Sequence, residues 1–259
     1  MTCKALIIDY IGTLVEPCNY SLETSRLNLH TALHEAGLET DINKFMEAYK
    51  TAHEKYRKIR YEKLREVTNA VWVSEALNDA GCKTNVNDLR LKTALNVFFQ
   101  DFINSFQIRP HAKKLLSKAS ANGKVGLISN FTYAPAIYAS LRKFRINRYF
   151  NAVIISDSVG WRKPHPKIFQ EALMKLQITA SEAVYVGDSP TEDIKGAKAV
   201  GLKSVFVPSK FYSAADLAKC GEKPDVVVED LWELCKNLSE ISAKLQNVET
   251  APETEEGKN

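Results

Sequence analysis

The chain reads as an α/β protein: a doubly wound parallel sheet with an all-helical insertion directly after its first strand. Short apolar runs rich in Val and Ile recur at 5–9, 124–129, 152–156, 183–188, 204–207 and 225–228. They lack the two-residue alternation of a half-exposed strand, as expected of strands covered on both faces. From the second run onward, helix-patterned segments separate them, the signature of a parallel sheet that binds ligands at the carboxyl ends of its strands. Between the first run and residue 110 no comparable strand run occurs, only helix-like sequence.

The first run, "ALIID", ends in a carboxylate, Asp9, and "YIGT" follows it. The insertion opens at Ser21, whose spacing to Thr24 resembles a capping box with Thr in place of Glu, and this first helix closes at Gly37. A second helix runs from Asp41, with Phe45, Tyr49, Ala52, Tyr56 and Ile59 on one stripe. "TNAVWVSEALNDAG" and "NVNDLRLKTALNVFFQDFINSF" supply two more. The sequence thus predicts a Rossmann-like core over 1–14 and 109–245, a helical cap over 15–108, and a disordered acidic tail over 246–259. In the core, "HAKKLLSKASANG", "APAIYASLRKF", "PKIFQEALMKLQI", "EDIKGAKAVG" and "DLWELCKNLSEISAKL" are the expected helices. Gly123 and Gly201 stand where helix C-termini call for a left-handed residue.

Composition bounds the function. At 45% hydrophobic and 25% charged residues the chain is an ordinary globular sequence. Lys plus Arg (35) exceed Asp plus Glu (31) by four; the last 14 residues hold four Glu and one Lys, so residues 1–245 carry +7. That surplus favours a small anionic partner. No dense basic stripe interleaved with aromatics argues for nucleic acid, and no apolar run approaches the ~20 residues that span a bilayer. Five scattered cysteines without a CxxC pair fit neither a disulfide framework nor a zinc site, so the cytoplasm is the expected compartment. A monomer or homodimer is expected.

Four short elements fall at strand ends in order: "DYIGT" at 9–13, "SN" at 129–130, "RKPHP" at 162–166 and "GDSPTED" at 187–193. Each alone has a bland reading as a turn, loop or helix cap. Together, at the carboxyl ends of one parallel sheet, they resemble the haloacid dehalogenase superfamily, a resemblance that covers the whole chain, including a helical cap after the first strand. It implies a hydrolase in which Asp9 is the nucleophile. A carboxylate attacking a phosphate must overcome charge repulsion, so cations have to intervene. On this resemblance Lys163 supplies a fixed positive charge and Ser129 donates hydrogen bonds to phosphate oxygens. Mg²⁺ is held by Asp9, Asp188, Asp193 and the main-chain carbonyl of Ile11, with Asp193 orienting metal waters or Lys163. Tyr10, Thr13, Asn130 and Arg162 are the expected substrate contacts.

The sequence departs from the family's phosphatases at Ile11, where they carry a second Asp that protonates the leaving alkoxide and then deprotonates water. Such general acid–base help is worth about 10²–10⁴-fold. Family members without this acid expel halide, a stabilised carbanion or a phosphoanhydride. The favoured reading is a Mg²⁺-dependent phosphatase of a small phosphorylated metabolite, adapted to good leaving groups or slow on alkyl esters. The alternatives are a metal-independent 2-haloacid dehalogenase, a catalytically reduced binding or regulatory member, and a phosphonatase.

Other residues carry weaker signals. Residues 49–66 hold seven basic and three acidic side chains, read as a solvated helix with pairs such as Lys50–Glu54 rather than an anion-recruiting face. His30 and His34 are read as helix-surface residues rather than metal ligands. Trp161, Phe131 and Tyr133 are candidates for the pocket mouth, with packing as the competing reading.

Overall fold

The structure is a computed structural model describing residues 3–247. Eight strands are present among the described residues: β1 (Ala5–Asp9), β2 (Val15–Pro17), β3 (Phe106–Ile108), β4 (Lys124–Ser129), β5 (Ala152–Ile155), β6 (Ala183–Gly187), β7 (Lys203–Phe206) and β8 (Val226–Val227). Six of them form a parallel sheet in the order β5-β4-β1-β6-β7-β8. The chain adds strands outward on one side of β1 and then on the other. β1 is therefore the switch point, and its carboxyl end is where a ligand crevice forms.

β1 is buried at every position, but its side chains alternate between two layers. Leu6 and Ile8 join a cluster with helices Ala112–Asn122, Ala134–Lys143 and Leu231–Asn247. Ala5 and Ile7 face the opposite layer, built on Pro166–Leu176. Burying an isoleucine such as Ile7 or Ile8 contributes about 1.5–3 kcal/mol, which fixes β1 at the centre.

Four helices lie between β2 and β3: Leu22–Glu35, Ile42–Glu62, Asn69–Asp79 and Leu89–Ser105. Ser21, Asp41 and Asp88 cap three of them by accepting backbone N–H bonds. The helices pack around Leu29, Leu33, Phe45, Trp72, Leu77, Leu95 and Phe99, a core separate from those of the sheet.

Three expectations need correction. The insertion is not purely helical: β2 and β3 pair antiparallel, Val15 opposite Ile108 and Pro17 opposite Phe106, where the chain enters and leaves it. Three residues are too few to show a period, so the sequence pattern missed them. Gly201 does adopt a left-handed φ of +79°, but Gly123 is extended at 177°. Gly123 is needed for close approach, because a Cβ there would lie 2.6 Å from the Lys4 carbonyl oxygen. Finally, the last helix runs through Asn247, two residues into the expected tail; residues 248–259 lie outside the described residues. Among the described residues no helix is long and apolar enough to cross a membrane.

Candidate active site

The carboxyl ends of β1, β4 and β6 bring together side chains that are remote in sequence. Asp9 ends β1 and Ser129 ends β4, both at most 5% exposed. Asp188 follows β6, and Lys163 comes from the loop after β5; they are 3% and 2% exposed. Lys163 Nζ donates to Asp9 Oδ1 at 2.5 Å, to Asp193 Oδ1 at 2.7 Å, to the Tyr185 hydroxyl at 3.2 Å and to the Ile128 carbonyl at 3.3 Å. Burial alone would lower the Lys163 pKa. The carboxylates of Asp193 and Asp9 outweigh it and hold the ammonium above its ordinary value.

Asp193 is fully engaged, receiving Lys163 and Tyr185 on Oδ1 and the Ser189 amide on Oδ2. Asp188 has only hydroxyl partners, Ser209 at 2.6 Å and Thr13 at 3.5 Å. Asp9 Oδ2 is buried with no partner. One oxygen each of Asp9, Asp188 and Asp193 lies within 4.8 Å of the others. Burial, with repulsion from neighbouring carboxylates, pushes Asp9 up to about 7 and Asp188 up to about 8.

Three buried carboxylates thus face one ammonium. The excess negative charge, the orphaned Asp9 oxygen and the all-oxygen donor set fit a hard divalent cation such as Mg²⁺.

The turn after β1 is built for this approach. Gly12 has φ +102°, and a Cβ on it would lie 2.2 Å from Asp188 Oδ2. Arg109 Nη1 donates to the Gly12 carbonyl at 2.6 Å and Nη2 to the Pro208 carbonyl at 2.8 Å. It thereby ties the turn after β1 to the loop that carries Ser209. Ile11 is partly buried and packs its side chain against the core cluster that holds Leu6 and Ile8.

The expected substrate contacts fare differently. Tyr10 is a correction: its side chain is fully buried in the core, with its hydroxyl 2.7 Å from Ser140 Oγ. It extends the Leu6–Ile8 face of β1, so only its main chain borders the site. Asn130 spends its amide on the lysine loop, accepting from the Lys163 N–H at 2.8 Å and donating to the Lys163 carbonyl and to Glu192. Thr13 is fully buried and faces Asp188.

Arg162 is drawn into the cap. Its Nη1 meets Glu66 Oε2 at 2.5 Å, and its Nη2 lies 3.9 Å from Glu192. Glu66, its side chain 1% exposed, also holds Arg60 at 3.0 Å and accepts from Ser156.

Phe131 and Tyr133 both pack against Phe99 of the cap. Trp161 stacks on His165 at 3.9 Å beneath Arg65. His30 bonds the Thr40 carbonyl within the cap.

Sequence reasoning missed Tyr185, Ser209, Arg109 and Glu66. Ser209 closes the apolar run "SVFVPS" and shared the strand-end signal of Ser129; the others touch the site only through contacts across the fold.

The model of the haloacid dehalogenase-like hydrolases matches residues 42–207. The glyceraldehyde 3-phosphate phosphatase of Methanopyrus kandleri is 28% identical, covering 92% of this chain and 98% of its own. The ribulose-1,5-bisphosphate 5-phosphatase of Halopiger xanaduensis is also 28% identical, over 91% and 99%. Among solved structures, a 2-haloacid dehalogenase from Pseudomonas syringae superposes with a TM-score of 0.62 at 22% identity, covering 93% of this chain and 98% of that one. This last likeness is one of fold.

Proposed function

The chain belongs to the haloacid dehalogenase-like hydrolases, and from that premise we propose that it is a Mg²⁺-dependent phosphatase of a small phosphorylated metabolite. The observation that carries the reading is the buried group of Asp9, Asp188 and Asp193 around a single lysine. A displacement of halide from carbon calls for no such excess of carboxylates. The two full-length relatives named as phosphatases point the same way.

Asp9 attacks phosphorus as the bond from phosphorus to the leaving-group oxygen breaks, forming an aspartyl-phosphate that water then hydrolyses to phosphate and the free Asp9 carboxylate. Lys163, bonded to Asp9 Oδ1, neutralises the carboxylate and leaves Oδ2 free of hydrogen bonds. Asp193 and Tyr185 fix the lysine, and Ser129 lies at the adjoining strand end to donate to a phosphoryl oxygen. Asp9, Asp188 and the Ile11 main chain would hold the cation, which when bound offsets the charge of the phosphoryl oxygens. Asp193 would act on it indirectly, its oxygens being committed.

Ile11 leaves the leaving group without an acid and the attacking water without a base. Substrates whose leaving groups depart unprotonated, such as acyl or aryl phosphates, should turn over fastest. Cap closure over Asp9 keeps bulk water out, with Glu66 joining the cap to the lysine loop.

The purified protein assayed on acetyl phosphate, alkyl phosphates and 2-chloropropionate, with Mg²⁺ or EDTA and beside Asp9→Asn, tests the reading. Metal-dependent phosphate release that Asp9→Asn abolishes supports it; metal-independent chloride release overturns it.

A further inference from the structure

Four buried side-chain atoms among the described residues have no hydrogen-bond partner: Asp9 Oδ2, Ser25 Oγ, Arg26 Nε and Trp72 Nε1. Such atoms are rare, because their lost hydration goes uncompensated. The first belongs to the nucleophile. The other three lie in the cap, on the helices Leu22–Glu35 and Asn69–Asp79, and every one of them can donate.

They converge. Ser25 is 1% exposed, Trp72 2% and Tyr49 3%. The Arg26 guanidinium lies 5.3 Å from the Tyr49 ring centre. Arg26 and Trp72 both approach the Tyr49 hydroxyl, yet neither Arg26 Nε nor Trp72 Nε1 meets it with hydrogen-bond geometry. Arg60 adds a second guanidinium, 5.5 Å from the Trp72 ring. Arg60 shares Glu66 with Arg162, while Arg26 forms no ion pair among the described residues. Burial, then Arg60 and Arg26, push the His53 pKa down, so this neighbour stays neutral. The cluster is rich in donors and positive charge, and its acceptors, the Tyr49 and Ser25 hydroxyls and the His53 ring, carry no negative charge.

Its place in the fold points toward the catalytic carboxylate. Trp72 lies one turn beyond Asn69, which accepts from Thr132 in the loop following Ser129. On the other side, Arg60 and Glu66 lead to Arg162, the neighbour of Lys163. Orphaned donors in the cap and an orphaned acceptor on Asp9 stand on either side of the junction between cap and sheet.

We propose that Ser25, Arg26, Tyr49 and Trp72 form a receptor for a second anionic oxygen group of the substrate, a carboxylate or a second phosphate remote from the phosphate at Asp9. This rests on the phosphatase reading and narrows its substrates to small phosphate esters with an anionic far end. Donors left unmet by an uncharged end discriminate against it, since their desolvation is then unreturned.

The test compares phosphoglycerate (carboxylate end), propanediol bisphosphate (second phosphate) and glycerol phosphate (uncharged end) with the full chain and Mg²⁺. The expected result is a kcat/KM at least about tenfold higher for one or both anionic-ended esters. Which one is preferred separates a carboxylate receptor from a phosphate receptor. Arg26→Met and Trp72→Phe should each reduce that preference about tenfold, with Arg26→Lys recovering part of it. Equal kcat/KM on all three esters, or a preference that both substitutions leave intact, would overturn the proposal.

If neither these esters nor acetyl phosphate releases phosphate, it is the phosphatase reading that fails. The receptor is then read directly, by Trp72 fluorescence in a Trp161→Phe, Trp232→Phe background titrated with the same three compounds. A saturable change with an anionic-ended compound and none with glycerol phosphate supports the receptor; no change with any of them overturns it. The same titration decides the matter if the cap substitutions prevent folding.

Discussion

Replacing Gly12 by Ala should damage the site through Asp188 and not through Asp9. The new Cβ would lie 2.2 Å from Asp188 Oδ2 and 2.6 Å from its Cγ, so one side must move. The backbone φ of +102° adds strain for any residue with a Cβ, costing about 1–3 kcal/mol. Displacing Asp188 from its Ser209 bond costs about 1 kcal/mol more. We expect a total loss of about 2–4 kcal/mol, read by urea unfolding, and a weakened Mg²⁺ dependence of phosphate release. A double-mutant cycle with Asp188→Ala isolates the collision. In that background Gly12→Ala should cost only its backbone strain, about 1–3 kcal/mol. An equal cost in both backgrounds, or an unchanged Mg²⁺ half-saturation in Gly12→Ala, would refute the reasoning.

Four further outcomes are expected. Ile11→Asp supplies the missing acid and should raise alkyl phosphate turnover at neutral pH, by at most about 10²–10⁴-fold; unchanged steady-state rates would show that proton transfer does not limit the reaction. Tyr185→Phe removes a bond to Asp193 and one from Lys163, so stability should fall by about 1 kcal/mol per bond on thermal unfolding, with kcat lowered more than KM raised. Glu66→Ala leaves Arg162 and Arg60 without their shared carboxylate and should cost about 3–5 kcal/mol in denaturant unfolding. Mg²⁺ at 100 times its Kd should stabilise the protein by about 2.7 kcal/mol, a shift that Asp188→Asn should largely remove.

The site residues whose position the sequence reveals are those that end strands. Asp9, Ser129 and Asp188 each follow an unbroken apolar run, and in a parallel sheet all such ends point into one crevice. Tyr10 could also have been read, since it continues the two-residue alternation of Leu6 and Ile8 and had to turn into the same layer. Arg162 could not: its partner Glu66 is 96 residues away, in a segment that meets the lysine loop only when the cap is folded. Arg109 is hidden for the same reason, because its acceptors are the main-chain carbonyls of two distant loops, which leave no mark on composition. The β2–β3 pair was invisible because its strands are shorter than the period that would reveal them.

The central claim is that Asp9 becomes phosphorylated. Acid quenching of the protein during turnover of acetyl phosphate with Mg²⁺, followed by peptide mass spectrometry, tests it most directly. The account predicts a phosphoryl group on the peptide containing Asp9, absent with EDTA and in Asp9→Asn. Phosphate release without any such adduct, and undiminished in Asp9→Asn, would contradict it.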